Sequence, residues 1–268
     1  MSLDIFELAE ACLAASSIDE KLERSEAAAA QVASGDFVSD SHELPKPIAQ
    51  PGHPPRPHLV APRRLAQRGL GTAEGRVALV HAVAHIEFNA INLAWDALYR
   101  FRGMPPEYYR DWAAVAADET RHFRLLAARL AELGHEYGDF DAHNGLWEMA
   151  VKTSDSCLAR MALVPRVLEA RGLDVTPPMI ARLRQAGDMR TVEILEVILR
   201  EEVAHVATGS RWFAWCCAHE RCDPDAAFAQ LVAEHAGGAV KPPFNEAARR
   251  AAGFSAAEMA RLMAQSAA

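Results

Sequence analysis

Residues 118–122 read Asp-Glu-Thr-Arg-His and residues 201–205 read Glu-Glu-Val-Ala-His, each inside a long proline-free stretch. In both, a glutamate precedes a histidine by three positions, a spacing that sets a carboxylate and an imidazole on one helix face, where both can hold the same cation. Glu-x-x-His alone is a weak signal, and a third copy, Glu132 with His135, ends against Gly134 and reads as surface. The other two copies gain weight from a partner. Glu87 lies 32 residues before Glu119, and Glu169 lies 33 residues before Glu202. A lone glutamate followed by Glu-x-x-His therefore occurs twice, and each occurrence needs two helices.

Working outward from these stretches, Thr72 caps a predicted helix that runs without proline to Phe101 and is ended by Gly103, Pro105 and Pro106. A second helix is expected from Glu107 to Leu133. A third runs from Leu146 to Arg171 and is broken at Gly172, Thr176, Pro177 and Pro178. A short piece to Ala186 follows, and Asp188 caps a fourth helix over residues 189–219. No period-two strand pattern competes, and alanine, which favours helix, fills 53 positions. The fold class is all-α. Its core, residues 72–219, is a four-helix bundle preceded by N-terminal helices and a proline-rich arm (residues 1–71) and followed by a helical tail (residues 220–268). The tail is expected as two short helices separated by the GGAVKPPF segment.

Each lone glutamate sits in an apolar helix stretch. Val80, Ala84, Ile91, Ala94 and Leu98 continue the Glu87 face, and Trp112, Val115, Leu126 and Leu130 that of Glu119. The heights agree as well. Glu87 is 14 residues before Phe101 and Glu119 is 11 after Tyr108, giving arms of about 21 and about 17 Å. In the second half, Glu169 is only three residues from its break while Glu202 is 14 from Asp188. Those arms match if the piece from Pro178 to Ala186 continues the third helix, so a broken third helix is expected.

Four carboxylates and two imidazoles converging in an apolar bundle require cations, because each unpaired buried charge costs several kcal/mol. Two divalent ions neutralise the four charges, and oxygen and nitrogen donors suit iron first and manganese second. The expected metal ligands are Glu87, Glu119, His122, Glu169, Glu202 and His205.

With these residues in view, the chain resembles the ferritin-like di-iron carboxylate superfamily. Asp118-Glu119-Thr120-Arg121-His122 is similar to the Asp-Glu-x-Arg-His motif of its bacterial oxygenase branch, whose leading acid orients the histidine of the opposite motif. The resemblance implies that Asp118 holds the outer ring N–H of His205 and Glu201 that of His122. VPRVLEARGLDVTPP at residues 164–178 and KPPFNEAARRAAGF at residues 241–254 resemble an uncharacterised bacterial family of ferritin-like proteins, a domain of unknown function. A more distant similarity is to tRNA-modifying hydroxylases. The implied activity is that of a di-iron oxidoreductase which activates dioxygen to hydroxylate or oxidise a substrate. The alternative is a ferroxidase, peroxide-scavenging or iron-handling protein with no organic substrate. The long extensions on both sides of the bundle favour the first, since they obstruct close cage contacts.

The remaining composition sets limits. With 28 basic and 36 acidic residues the net charge is −8, which disfavours nucleic-acid binding by the whole surface. The segment from Leu44 to Ala73 runs the other way, with five basic residues, no acid and seven prolines between Pro45 and Pro62. Its Arg63 and Arg64 are candidate phosphate contacts for a nucleotide-containing substrate, and the alternative is an arm lying over the protein's own acidic helices. No unbroken apolar run reaches a bilayer span, and the N-terminus lacks a signal-peptide flank, so no membrane partner and a cytoplasmic location are expected. The expected partners are an unidentified small molecule or nucleotide-containing substrate, an external electron donor and a second copy in a homodimer. Cys12, Cys157, Cys216, Cys217 and Cys222 follow no framework spacing and read as reduced thiols. His81 and His85 fall off the Glu87 face and read as surface or core-edge residues.

Overall fold

The structure, a computed structural model, describes residues 3–35, 37–40, 43–236 and 240–265. The chain is 71% helical and divides into two compact units, Met1–Val151 and Lys152–Ala268. Within the GGAVKPPF connection, residues 237–239 lie outside the described residues.

The first unit opens with β1 (Leu3–Asp4), α1 (Ile5–Ala14), α2 (Ile18–Ser34) and β2 (Phe37–Val38), the two short strands pairing in parallel. The Asp4 carboxylate accepts from Phe6 N at 2.7 Å, and the Ser17 hydroxyl accepts from Glu20 N at 3.2 Å. These caps satisfy N–H groups that helices leave orphaned. The long hairpin follows: α3 (Ala73–Arg100), capped by the Thr72 hydroxyl as expected, and α4 (Pro106–Glu132). The Tyr108 and Tyr109 hydroxyls donate back to Ala97 O at 3.0 Å and Phe101 O at 3.1 Å, fixing the hairpin end. α3 is long and apolar enough to cross a bilayer, but most of that stretch is buried inside the protein, as in the core helix of a soluble domain. The last element of the unit, α5 (Gly145–Lys152), reaches the boundary.

Between β2 and α3 the proline-rich arm lies against its own unit. Gly52 N donates to Leu13 O at 2.7 Å, and a Cβ at that position would stand 2.3 Å from Ala15 O, so only glycine permits the approach. Trp147 Nε1 donates to Ala49 O at 3.0 Å, and residues around Leu59 and Ala142 form a parallel bridge. Pro51, Pro54 and Pro57 are buried. Lys46 pairs with Glu10 at 3.0 Å and Arg68 with Glu74 at 3.0 Å. Part of the arm's positive charge is thus met by acids of its own unit, while Arg63 and Arg64 stand exposed in a short 3-10 turn, Pro62–Arg64.

The second unit corrects the expected third helix. α6 (Cys157–Leu163), a π-helical segment (Val164–Glu169) and α7 (Ala170–Gln185) form one continuous run that passes through Gly172, Pro177 and Pro178. The interruption lies earlier, at residues 153–156, where the Ser156 hydroxyl accepts from Ala159 N at 3.1 Å and starts a new helix. Pro177 has no N–H to give the carbonyl four residues back, Leu173 O, and the Asn245 side-chain amide donates to it instead at 3.2 Å. Pro177 is tolerated because the tail supplies the missing donor. Asp188 then caps α8 (Met189–Glu220), its carboxylate accepting from Thr191 N at 3.1 Å. α9 (Pro224–His235), α10 (Glu246–Ala251) and α11 (Ala256–Gln265) complete the tail.

The π segment has a physical cause. Pro165 removes an intrahelical bond, and the backbone loosens into the wider turn. Opposite it on α8 stands Gly209, where a Cβ would lie 2.3 Å from both Cβ and Cγ of Pro165. The proline ring fills the space that a side chain at 209 would occupy.

Candidate metal centre

In the first unit α3 delivers Glu87, and α4 delivers Glu119 and His122. His122 Nδ1 donates to Glu87 Oε2 at 3.2 Å and stands 3.5 Å from Glu119 Oε2. Glu87, Glu119 and His122 are all buried, and each offers one donor atom within 4.8 Å of the others. The levels deduced from arm lengths therefore meet. The apolar positions flanking Glu87 and Glu119 are buried as the helical pattern requires, including Val80, Ile91, Trp112 and Leu126.

Electrostatics define what the cluster wants. Burial alone would lower the affinity of the His122 ring for its proton, but Glu119 and Glu87, by hydrogen bonds and by charge, outweigh it and push the group up to about 11. Two buried carboxylates demand positive charge between them. A protonated imidazole supplies one charge, and a divalent cation with His122 neutral supplies two. The donor set of carboxylate oxygen and imidazole nitrogen fits such an ion, so these buried residues can hold a metal.

In the second unit α8 delivers Glu202 and His205, with His205 Nδ1 and Glu202 Oε1 at 3.2 Å. His205 is buried and Glu202 half-buried. Glu169 ends the π segment, half-buried, with its Oε2 shielded from solvent. Glu169 is four residues beyond Pro165 and His205 four before Gly209, so the antiparallel register set by the Pro165–Gly209 contact puts the two at one level. The sequence-expected acids behind the ligands are half-buried: Asp118 Oδ1 accepts from Arg121 Nη2 at 2.7 Å, and Glu201 lies beside Glu202 on α8. The third Glu-x-x-His copy is peripheral as expected, with Glu132 exposed and the half-buried His135 paired to Asp139 at 2.9 Å.

His81 and His85, expected at the surface or at the core edge, lie on the inner side of that choice. Both are buried. His81 Nε2 accepts from Gly138 N at 2.9 Å and its ring stacks on Tyr137. His85 contacts the Tyr137 hydroxyl at 2.9 Å and His143 O at 3.0 Å. Burial pushes both imidazoles down to about 4, so they stay neutral. With Asn89 and Asn92, His85 and Tyr137 line a small recess under arm residues Gln50 and His53. The visible signal was three polar residues, His85, Asn89 and Asn92, at helical spacing on α3. Cys216, His219 and Cys222 follow one another at three-residue intervals at the end of α8, but His219 is exposed and stacks on Trp215, and among the described residues no second group of three metal donors occurs.

Fold and site thus define a mostly helical protein with a buried cluster of glutamates and histidine able to hold a metal ion. A family model described as a protein of unknown function (DUF455) matches residues 14–260, and the chain belongs to that family. An uncharacterized protein of Haemophilus influenzae is 44% identical to it over 213 residues, which is 77% of this chain and 74% of that protein. No solved structure matches the chain. The family match runs from α1 into α11 and so takes in the arm and tail as well as the long helices.

Proposed function

We propose that Glu87, Glu119, His122, Glu169, Glu202 and His205 hold two divalent cations, iron before manganese, in a ferritin-like four-helix bundle, and that the protein is a cytoplasmic oxidoreductase acting on an organic substrate. One observation supports the reading above the others: the pattern of lone glutamate and Glu-x-x-His occurs twice, and in each half a histidine Nδ1 meets a glutamate oxygen at 3.2 Å. A buried imidazole between two buried carboxylates is costly as a purely structural device, since apolar side chains would fill the space at lower cost. Retaining the charges makes sense where a cation uses them.

When bound, a reduced iron pair supplies the electrons that activate dioxygen toward a substrate C–H bond. The chain's own residues do the rest. Glu87 and Glu119 would set a dianionic face toward the ions, and Glu169 and Glu202 would supply the remaining carboxylates. His122 and His205 complete the donor set from the same helix faces. Asp118 and Glu201 hold the outer ring N–H groups and so fix which nitrogen faces the ions. Phe88 and Phe123, with ring centroids 5.3 Å apart, wall the first half with apolar surface. An external donor would return the electrons, a homodimer is the proposed assembly, and the substrate is a small molecule or a nucleotide-containing one, whose phosphate the exposed Arg63 and Arg64 would meet.

The test is elemental analysis of protein from iron-supplemented cells, followed by oxygen uptake with a chemical reductant. About two iron atoms per chain, lost together with oxygen uptake in the His122→Ala and His205→Ala variants, is the expected result. Clearly less than one metal per chain, unchanged by both substitutions, overturns it. A large cage-like particle on size exclusion that oxidises ferrous ion would move the assignment to the ferroxidase alternative. Salt-dependent RNA retention lost in an Arg63→Ala/Arg64→Ala variant supports the nucleotide-containing substrate, and no retention by either protein removes it.

A further inference from the structure

Two of the cysteines are placed for chemistry that the metal reading does not use. Cys157 is the first residue of α6, directly after the polar turn at residues 153–156, and Cys216 lies in the last turns of α8. The Pro165–Gly209 contact fixes how these antiparallel helices face each other. About two turns back from Pro165 along α6 lies Cys157, and about two turns on from Gly209 along α8 lies Cys216. The register thus brings the two residues to one level, and their thiols are within hydrogen-bonding reach of each other. Cys216 is buried and Cys157 half-buried, so one sulfur is reachable by a small solute and the second waits behind it. Gly209, by admitting the proline ring, keeps the helix axes close enough for the pair to meet.

We propose that Cys157 and Cys216 form a dithiol that hydrogen peroxide oxidises to a disulfide joining α6 to α8. The Cys157 thiolate attacks one peroxide oxygen, the O–O bond breaks, and hydroxide leaves with Cys157 as a sulfenic acid. The Cys216 sulfur then attacks the Cys157 sulfur, the S–O bond breaks, and the Cys216 proton leaves with the departing oxygen as water. In sum two thiols lose two electrons and two protons, and one peroxide becomes two waters. In a reducing compartment such a bond is transient and is reopened by a small thiol. The Cys217 and Cys222 thiols also lie within reach of each other, but both flank a single helix end, whose turn Cys222 N already closes on Cys217 O at 3.0 Å. The bond with a structural consequence is the one between helices. This inference stands apart from the metal reading.

The experiment uses the full chain, stripped of metal by chelation so that iron-driven oxidation plays no part. After exposure to hydrogen peroxide, remaining thiols are alkylated and the protein is digested with trypsin. Residues 153–160 carry Cys157, and residues 212–221 carry Cys216 and Cys217. The expected product is a cross-linked pair of these peptides, released by dithiothreitol, in which fragment ions assign the bond to Cys216. In a Cys216→Ser variant, Cys157 should instead be trapped by dimedone as sulfenic acid, and the unfolding midpoint should lose the rise that peroxide gives the wild type. A bond to Cys217, a bond confined to Cys217 and Cys222, or Cys157 carried to sulfinic acid without any cross-link overturns the proposal. Should the variant fail to fold, the wild-type peptide map decides by itself.

Discussion

The two units carry the same motif and support it differently. In the first, the cluster is closed to solvent: the side chains of Glu87, Glu119 and His122 are 5%, 1% and 0% exposed, and the charge balance is set inside the hairpin of α3 and α4. In the second, the Glu202 side chain keeps 12% exposure, and the helix carrying Glu169 is held from outside by the tail. Arg249 forks onto Asp174 at 2.9 and 2.7 Å, and Arg166 pairs with Glu258 at 2.7 Å beneath Phe213, Phe228 and Phe254. The lesson is that a repeated ligand pattern does not imply a repeated scaffold. One half holds its carboxylates by burial, the other by a proline-shaped helix with ionic braces.

That contrast has measurable consequences. The largest is at His122. In metal-free protein, His122→Ala removes the cation that bonds to Glu87 and stands 3.5 Å from Glu119, and denaturant unfolding should show a loss of about 3–5 kcal/mol. His205→Ala should cost clearly less, because Glu202 reaches water. The gap carries a pH signature. A histidine whose folded-state pKa is raised stabilises fully below its ordinary value and loses that contribution as pH climbs through about 11, so wild type and His122→Ala should converge there. Equal losses at the two histidines would erase the distinction between the halves.

Next comes Lys21, buried in the first unit and held by Cys12 O at 2.9 Å, Leu13 O at 3.4 Å and Asn92 Oδ1 at 2.7 Å. Burial draws it down to about 8 from 10.5. Between those values the unfolded chain binds a proton that the folded chain does not, so stability should rise with pH across that window, by a few kcal/mol. Lys21→Met should flatten the rise, and a slope unchanged by the substitution would refute the assignment. In the second unit, Gly209→Ala should cost about 1–3 kcal/mol by overpacking Pro165, and adding Pro165→Ala should return most of it. Lack of recovery in that double variant would show that the π segment does not depend on the contact. A comparable effect is expected for Asn245→Ala, about 1–2 kcal/mol, because it loses both the bond to Leu173 O and the cap that its Oδ1 gives Ala248 N at 3.2 Å, read as a shifted unfolding midpoint.

Much of this was legible in residue spacing. The ends of α3, α4 and α8 follow from Thr72, from Gly103 with Pro105, from Gly134 and from Asp188, because caps and breakers act locally. The meeting of Glu87 with His122 follows from counting residues to a tight hairpin. The third helix was misread in two places: whether Pro177 breaks a helix depends on who else donates to Leu173 O, and Asn245 is 72 residues from it. The polar run at residues 153–156, which does break the helix, carried a local signal of cap-forming residues that was outweighed by the apolar period around it. The burial of His81 and His85 depends on Tyr137, Gly138 and the arm closing over them, a long-range fact that helical periodicity on α3 does not contain.

The central claim is that both halves of the repeated motif serve one pair of ions. Crystals of iron-loaded protein measured on either side of the iron absorption edge test it most directly. The account predicts about two anomalous peaks, ringed by Glu87, Glu119 and His122 together with Glu169, Glu202 and His205. A single peak served by the first unit alone, or no peak at either histidine, would contradict it.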